Sequence, residues 1–197
     1  MPVIIRDNGL SKDMDNNFRC YKLYCIFEIN AFRVMKKKDI SISVKVYDNR
    51  EEMSSGMQEL VNKAIEAGKN AYAPYSGFKV GAAVLLANGE IITGSNQENA
   101  AYPSGLCAER VAVFYAKAKY PDIALKQLAV VAIRNGEVIE TPAAPCGACR
   151  QVLTEYEDSQ GALLSVLLAG RNETIELNSS SDLLPLSFGS KELDADN

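Results

Sequence analysis

The 197-residue chain contains no histidine. Imidazole is therefore excluded both as a metal ligand and as a proton shuttle, and any such chemistry must fall to thiols and carboxylates. Uninterrupted apolar runs are short as well. None reaches the roughly 18 residues of a membrane helix, and the half-apolar stretch from Phe18 to Val34 is broken by Arg19, Lys22, Glu28 and Arg33. The start is not a basic-then-apolar run ending in small residues, and Asp7, Asp13 and Asp15 argue against a mitochondrial presequence. Cytoplasm is the expected location, with no membrane partner. An excess of positive charge is also lacking: the net charge is −4. Residues 1–52 hold 10 Lys and Arg against 8 Asp and Glu, while residues 53–197 hold 11 against 17. Such an acidic body is a poor footprint for nucleic acid, whose binding rests on phosphate neutralisation, so a small-molecule substrate is favoured. The 5 cysteines form no disulfide framework; Cys20 and Cys25 read as incidental thiols in a reducing setting.

Residues 1–52 are expected to be a poorly ordered leader of unknown role. It includes the basic cluster Lys36–Lys38, which reads as a solvated face, and Ile40–Val46, whose period of two reads as a strand. From Met53 to the end a single α/β domain is expected. Ser54 or Ser55 caps a helix running to about Ala71, with Met57, Leu60, Val61, Ala64 and Ile65 at helical spacing. Strands follow at Lys79–Ala87 and Glu90–Gly94, joined by Asn88-Gly89, a strong hairpin signal. A helix over 107–118, a strand over 128–134, a turn at Asn135-Gly136, a helix over 146–156 and strands over 163–168 and 174–177 complete the pattern. This alternation predicts a three-layer α/β/α fold with a mixed five-stranded sheet.

Two short motifs carry the chemistry: Cys107-Ala108-Glu109, and Pro145-Cys146-Gly147-Ala148-Cys149. Cys107 opens one predicted helix and Cys146 another, directly after a proline suited to helix starts. Helix N-termini favour thiolate over thiol. Cys146 and Cys149, at i and i+3, reach one ion together; Cys107 supplies a third bond, leaving the fourth corner of a tetrahedron open, as a catalytic zinc requires. Three thiolates leave such a site electron-rich, and Arg110 and Arg150, each following a motif, are expected to donate hydrogen bonds to the sulfurs. Glu109 is placed to take a proton from an attacking water and return it to a leaving group. A closed structural zinc site is the competing reading, but structural sites usually have four ligands, and the remaining thiols lie some 80 residues earlier.

Four ordered runs then resemble one family: Ala71-Tyr72-Ala73-Pro74-Tyr75-Ser76-Gly77-Phe78-Lys79-Val80-Gly81-Ala82-Ala83, Gly94-Ser95-Asn96-Gln97-Glu98-Asn99-Ala100-Ala101-Tyr102, Cys107-Ala108-Glu109-Arg110, and Pro145-Cys146-Gly147-Ala148-Cys149-Arg150-Gln151-Val152. They are similar to the small homotetrameric cytidine deaminases, over about residues 54–190. The resemblance implies hydrolysis of cytidine and 2′-deoxycytidine in pyrimidine salvage, with one Zn²⁺ per chain on Cys107, Cys146 and Cys149 and with Glu109 shuttling protons. It implies that Asn96 and Glu98 hold the ribose hydroxyl, that Phe78 packs on the base and that the Ala108 backbone meets the pyrimidine carbonyl. Ala100, Tyr102 and Phe188 would reach a neighbouring subunit's site in a homotetramer. Gln97 departs from the commonly apolar residue at its position. The nearest rival is a deaminase of modified cytosine nucleosides, resembling the blasticidin deaminases; a zinc-stabilised, non-catalytic binder is the alternative from another class.

Overall fold

The computed structural model describes residues 36–193, and the chain divides into two units, residues 1–40 and the chain from Ser41 on. In the first, residues 36–40 are exposed and irregular, with Lys37 paired to Asp39 at 3.1 Å. The expected disorder of the leader, the run Phe18–Val34 and the cysteines Cys20 and Cys25 lie, over residues 1–35, outside the described residues.

In the second unit, α1 (Ser55–Lys69) begins where Ser54 accepts a hydrogen bond from Met57 N at 3.4 Å, and stops at Asn70. It is followed by β2 (Lys79–Leu86) and β3 (Ile91–Ser95), with β1 (Lys45–Tyr47) preceding it. Of the Asn88-Gly89 pair only Gly89 takes a positive φ, 88°, so the connection is longer than a two-residue turn. Then come α2 (Ala108–Lys119), β4 (Leu125–Arg134), β5 (Glu137–Val138), α3 (Gly147–Gln160), β6 (Ser165–Ala169) and β7 (Thr174–Leu177). A 3₁₀ turn over Ser180–Leu183 and a short α4 (Ser190–Leu193) follow. Helix α3 runs four residues past the expected Tyr156, to a stop at Gly161 with φ 60°. Its last turn looks like polar loop in sequence, yet Glu157 is buried there.

The sheet order is β1-β7-β6-β4-β2-β3, with β5 beside β4. It is mixed as expected, β4 and β6 running parallel and the other pairs antiparallel. Seven strands rather than five make it up. One addition is β1, which pairs with β7 from Lys45↔Glu176 to Tyr47↔Thr174. The other is β5, a two-residue hairpin arm made by Asn135 and Gly136 at φ 54° and 84°. Helix α1 packs on one face with Leu60, Val61 and Ala64, and α2 and α3 cover the other with Ala112, Val113, Ala116 and Leu153. Covered on both faces, β2 and β4 read as nearly continuous apolar runs.

Two glycines set the layer spacing. A Cβ on Gly81 would lie 1.9 Å from Ala64 O, and one on Gly94 would lie 2.5 Å from Ala112 N and 2.6 Å from Ala108 O. Only hydrogen fits at either point, so α1 lies directly on β2 and the start of α2 directly on β3. The first turn of α2, with Cys107 at its cap and Glu109 within it, is thereby fixed to the sheet.

Candidate active site and metal centre

Cys107 and Cys146 are the N-caps of α2 and α3, and neither side chain caps its own helix, so both sulfurs are free to turn toward one another. Cys107 Sγ lies 3.8 Å from Cys146 Sγ, Cys146 Sγ lies 3.6 Å from Cys149 Sγ, and all three sulfurs fall within 4.8 Å of one another. Sulfurs bonded at about 2.3 Å to a tetrahedral ion are separated by about 3.8 Å. The cluster therefore already has the spacing a zinc ion asks of three thiolates. Cys149 is buried, Cys107 half-buried and Cys146 exposed, so the cluster faces solvent from one side.

The electrostatics favour thiolate at Cys107 and oppose it at Cys149. Cys107 is pushed down to about 5, chiefly by a hydrogen bond from Cys149, with burial opposing and Arg110 and Cys146 assisting. Cys149, as the donor, is pushed up. Arg110 Nη2 stands 3.8 Å from Cys107 Sγ, and its buried Nε has no hydrogen-bond partner among the described residues. A charged donor thus lies against the sulfurs with capacity to spare. Glu109 is only 4% exposed, and burial pushes its carboxyl above the ordinary range, with the Cys107 charge adding to the rise.

Cys107, Cys146, Glu109 and Arg110 line a cleft of about 620 Å³ together with Phe78, Asn96, Glu98 and Tyr102. The size suits a small ligand. Asn96 Oδ1 accepts from Val80 N at 2.7 Å and its Nδ2 donates to Phe78 O at 3.0 Å. Glu98 accepts from the Ser76 hydroxyl, from Tyr75 N at 2.8 Å and from Ser76 N at 3.3 Å. The Ser76 hydroxyl bond, with those backbone donors, holds its carboxyl below the ordinary range. Both side chains therefore brace the segment Tyr75–Val80, which carries Phe78. Each keeps capacity: one lone-pair position on Glu98, and one acceptor and one donor position on Asn96.

The other candidates lie elsewhere. Ala108 is fully buried, its N–H at a helix position with no intrahelical acceptor. Ala100 and Phe188 are exposed and outside the cleft lining. Arg150 does not turn to the sulfurs as expected. Its Nε donates to Pro145 O at 2.8 Å and its Nη1 to Leu183 O at 2.9 Å, because it stands about 100° around the helix from Cys149. Tyr75 and Ser76 also line the cleft, Tyr75 packing edge-on to Tyr102 at 6.2 Å. The Ser76-Gly77 turn, with Gly77 at φ 64°, was their only local signal.

A mixed sheet between helical layers, with three thiols and a buried glutamate at two adjoining helix starts, defines a class of metal-dependent hydrolase. The family model for the cytidine and deoxycytidylate deaminase zinc-binding region matches residues 54–163. A cytidine deaminase of Halalkalibacterium halodurans is 39% identical over 136 residues, covering 69% of this chain and 96% of that one. One of Sporosarcina psychrophila is 40% identical, covering 70% and 94%. The crystal structure of cytidine deaminase from Burkholderia pseudomallei superposes with a TM-score of 0.57 at 40% identity, covering 69% of this chain and all of that one. The chain belongs to the cytidine and deoxycytidylate deaminase family, whose members are zinc-binding hydrolytic deaminases. Among the described residues no helix is long and apolar enough to cross a membrane.

Proposed function

We propose that this chain hydrolyses cytidine and 2′-deoxycytidine to uridine and deoxyuridine, releasing ammonia, in pyrimidine salvage in the cytoplasm. The observation that carries this reading is the convergence of three sulfurs at zinc spacing with a buried glutamate, of which Cys107, Cys146 and Glu109 line one cleft of about 620 Å³. Cys107, Cys146 and Cys149 hold the ion. Bound there, zinc supplies the Lewis acidity that makes water a nucleophile at neutral pH.

Glu109 does the proton work. It accepts a proton from water as the oxygen bonds to C4 of the pyrimidine, and delivers that proton to N3. It then takes the remaining hydroxyl proton to the exocyclic amine, the C4–N bond breaks, ammonia leaves and the C4 carbonyl of uridine forms. The Ala108 N–H, at the start of α2, is the donor for the base's own carbonyl. Phe78 offers the base an aromatic face. The spare acceptor positions on Asn96 and Glu98 take the ribose hydroxyl, and since both residues also brace the Tyr75–Val80 segment, sugar and base are positioned by one network. Arg110 offsets the negative charge of the sulfurs through its contact to Cys107.

The family resemblance supports a homotetramer with shared sites. Phe188 is 59% exposed in the single chain and, like Ala100, lies outside its own cleft, which leaves both available to a neighbour's cleft, while Tyr102, 76% exposed, lines its own cleft and has surface left for a neighbour. A panel of cytidine, 2′-deoxycytidine and an N4-bearing modified cytosine nucleoside, scored by ammonia release, tests the substrate reading. Release from the first two supports it; release from the modified nucleoside alone overturns it. Dilution that dissociates the oligomer is expected to abolish turnover, and full activity from a monomer contradicts shared sites.

A further inference from the structure

The loop that brings Cys146 into the site makes few hydrogen bonds, although Pro145 within it is buried. Between Thr141 and Pro145, among the described residues, the one hydrogen bond to the loop is that from Arg150 Nε to Pro145 O, at 2.8 Å. Proline offers no N–H of its own, and Cys146 itself is exposed and caps α3 without a side-chain bond. The guanidinium also reaches Leu183 O at 2.9 Å, at the end of the 3₁₀ turn, where Leu183 is in the core. One planar group thus spans the residue before Cys146 and a carbonyl fixed to the fold.

We infer that Arg150 is a positioning residue for the metal site: it presets Cys146 through the Pro145 carbonyl and touches no sulfur. This rests on the reading of the three cysteines as zinc ligands. A fork geometry explains why arginine serves here, since its donors can engage two carbonyls at once and a single ammonium is less well placed to do so. With the tether cut, Cys146 keeps the bond from Arg150 N to its own carbonyl at 3.0 Å but the Pro145 carbonyl loses its donor, and the entropy of fixing the approach to Cys146 is then lost from binding. Partners beyond the ligands typically change metal affinity about 10- to 100-fold when removed.

The test uses the full chain stripped of metal and titrated with zinc against a chromogenic chelator. R150Q is expected to bind zinc about 10- to 100-fold more weakly than wild type, and R150K to fall between them. Gln151 supplies a control: its Nε2 donates to Phe188 O at 2.7 Å, tying down the same terminal segment without touching the Cys146 loop. Q151A is expected to keep wild-type zinc affinity. Wild-type affinity in R150Q, or in R150K should R150Q fail to fold, overturns the inference, as does an equal loss in Q151A. A wild-type chain that takes up no zinc overturns the metal assignment itself, so the two failures are told apart.

Discussion

The two helix starts that meet at the sulfurs are held by different physics. The start of α2, with Cys107 and Glu109, is clamped by packing: Ala108 and Ala112 are fully buried and lie on Gly94 of β3, where a methyl group has no room. The start of α3, with Cys146, is approached by a loop whose one hydrogen bond among the described residues comes from Arg150, onto the carbonyl of the buried Pro145. Close packing is stiff and fails by steps, since even a methylene must displace its neighbours. A polar tether fails by degrees, as its partner can be exchanged for water. The proton-transferring group therefore sits on the rigid half of the site, and an exposed ligand sits on the adjustable half.

The far end of α3 adds a third kind of anchor. Glu157, 7% exposed, accepts from Leu164 N at 2.9 Å, Ser180 N at 2.8 Å, Ser180 Oγ at 3.0 Å and Ser181 Oγ at 2.9 Å, and from the Ser179 hydroxyl. Burial pushes its carboxyl up, but these donors prevail and hold it below the ordinary range. The carboxylate thus ties α3 to the turn after β7, and so to the Leu183 carbonyl that Arg150 uses.

Breaking the cluster gives the largest effect. Cys149→Ala removes the buried ligand both halves share, and is expected to take zinc from about one per chain to near none and to abolish turnover; metal analysis after gel filtration checks this. Gly94→Ala strikes the packed half. It is expected to cost about 1–3 kcal/mol in denaturant unfolding and to lower kcat through the displaced Glu109, whereas full activity would show that α2 has slack.

Glu157→Gln probes the ionic anchor and is expected to cost about 2 kcal/mol, with zinc still bound. Its pH dependence has a definite sign. A carboxyl depressed in the folded state gives stability that is complete above the unfolded value, about 4.3. That stability fades as pH falls below it through the folded value. The wild-type minus Glu157→Gln difference should therefore shrink on acidification below about pH 4. A difference that grows on acidification contradicts the assignment.

The smallest effect lies farthest away. Tyr47 on β1 donates to Glu176 at 2.6 Å and is pushed up to about 12, first by that bond. Tyr47→Phe should cost no more than about 1 kcal/mol and leave turnover unchanged, as thermal unfolding and an activity assay would show.

How far the sequence discloses this molecule depends on how local the signal is. Ser54 as a cap, Pro145 before Cys146 and Asn135-Gly136 as a turn are local, and each lies where its chemistry predicts. The alternation over Ile40–Val46 overstates the strand, since β1 covers only Lys45–Tyr47, where β7, over 100 residues away, supplies a partner, and the two-residue β5 is too short for any period to show. The sulfur cluster was legible because Cys107-Ala108-Glu109 and Pro145-Cys146-Gly147-Ala148-Cys149 occur together, offering three thiols where a structural zinc site usually has four ligands. The reach of Arg150 was not, since adjacency to a motif does not fix where a long side chain ends. The tight contacts at Gly81 and Gly94 are equally silent in a single sequence, because a glycine does not say what lies against it.

In the proposed function the three cysteines and Glu109 form one hydrolytic site. Following the ultraviolet absorbance of cytidine with wild-type protein and Glu109→Gln, with zinc assayed on both, tests it most directly. Both are expected to hold about one zinc per chain, wild type to consume cytidine with stoichiometric ammonia, and Glu109→Gln to be slower by roughly 10²- to 10⁴-fold. A zinc-loaded Glu109→Gln that turns over cytidine at the wild-type rate would contradict it.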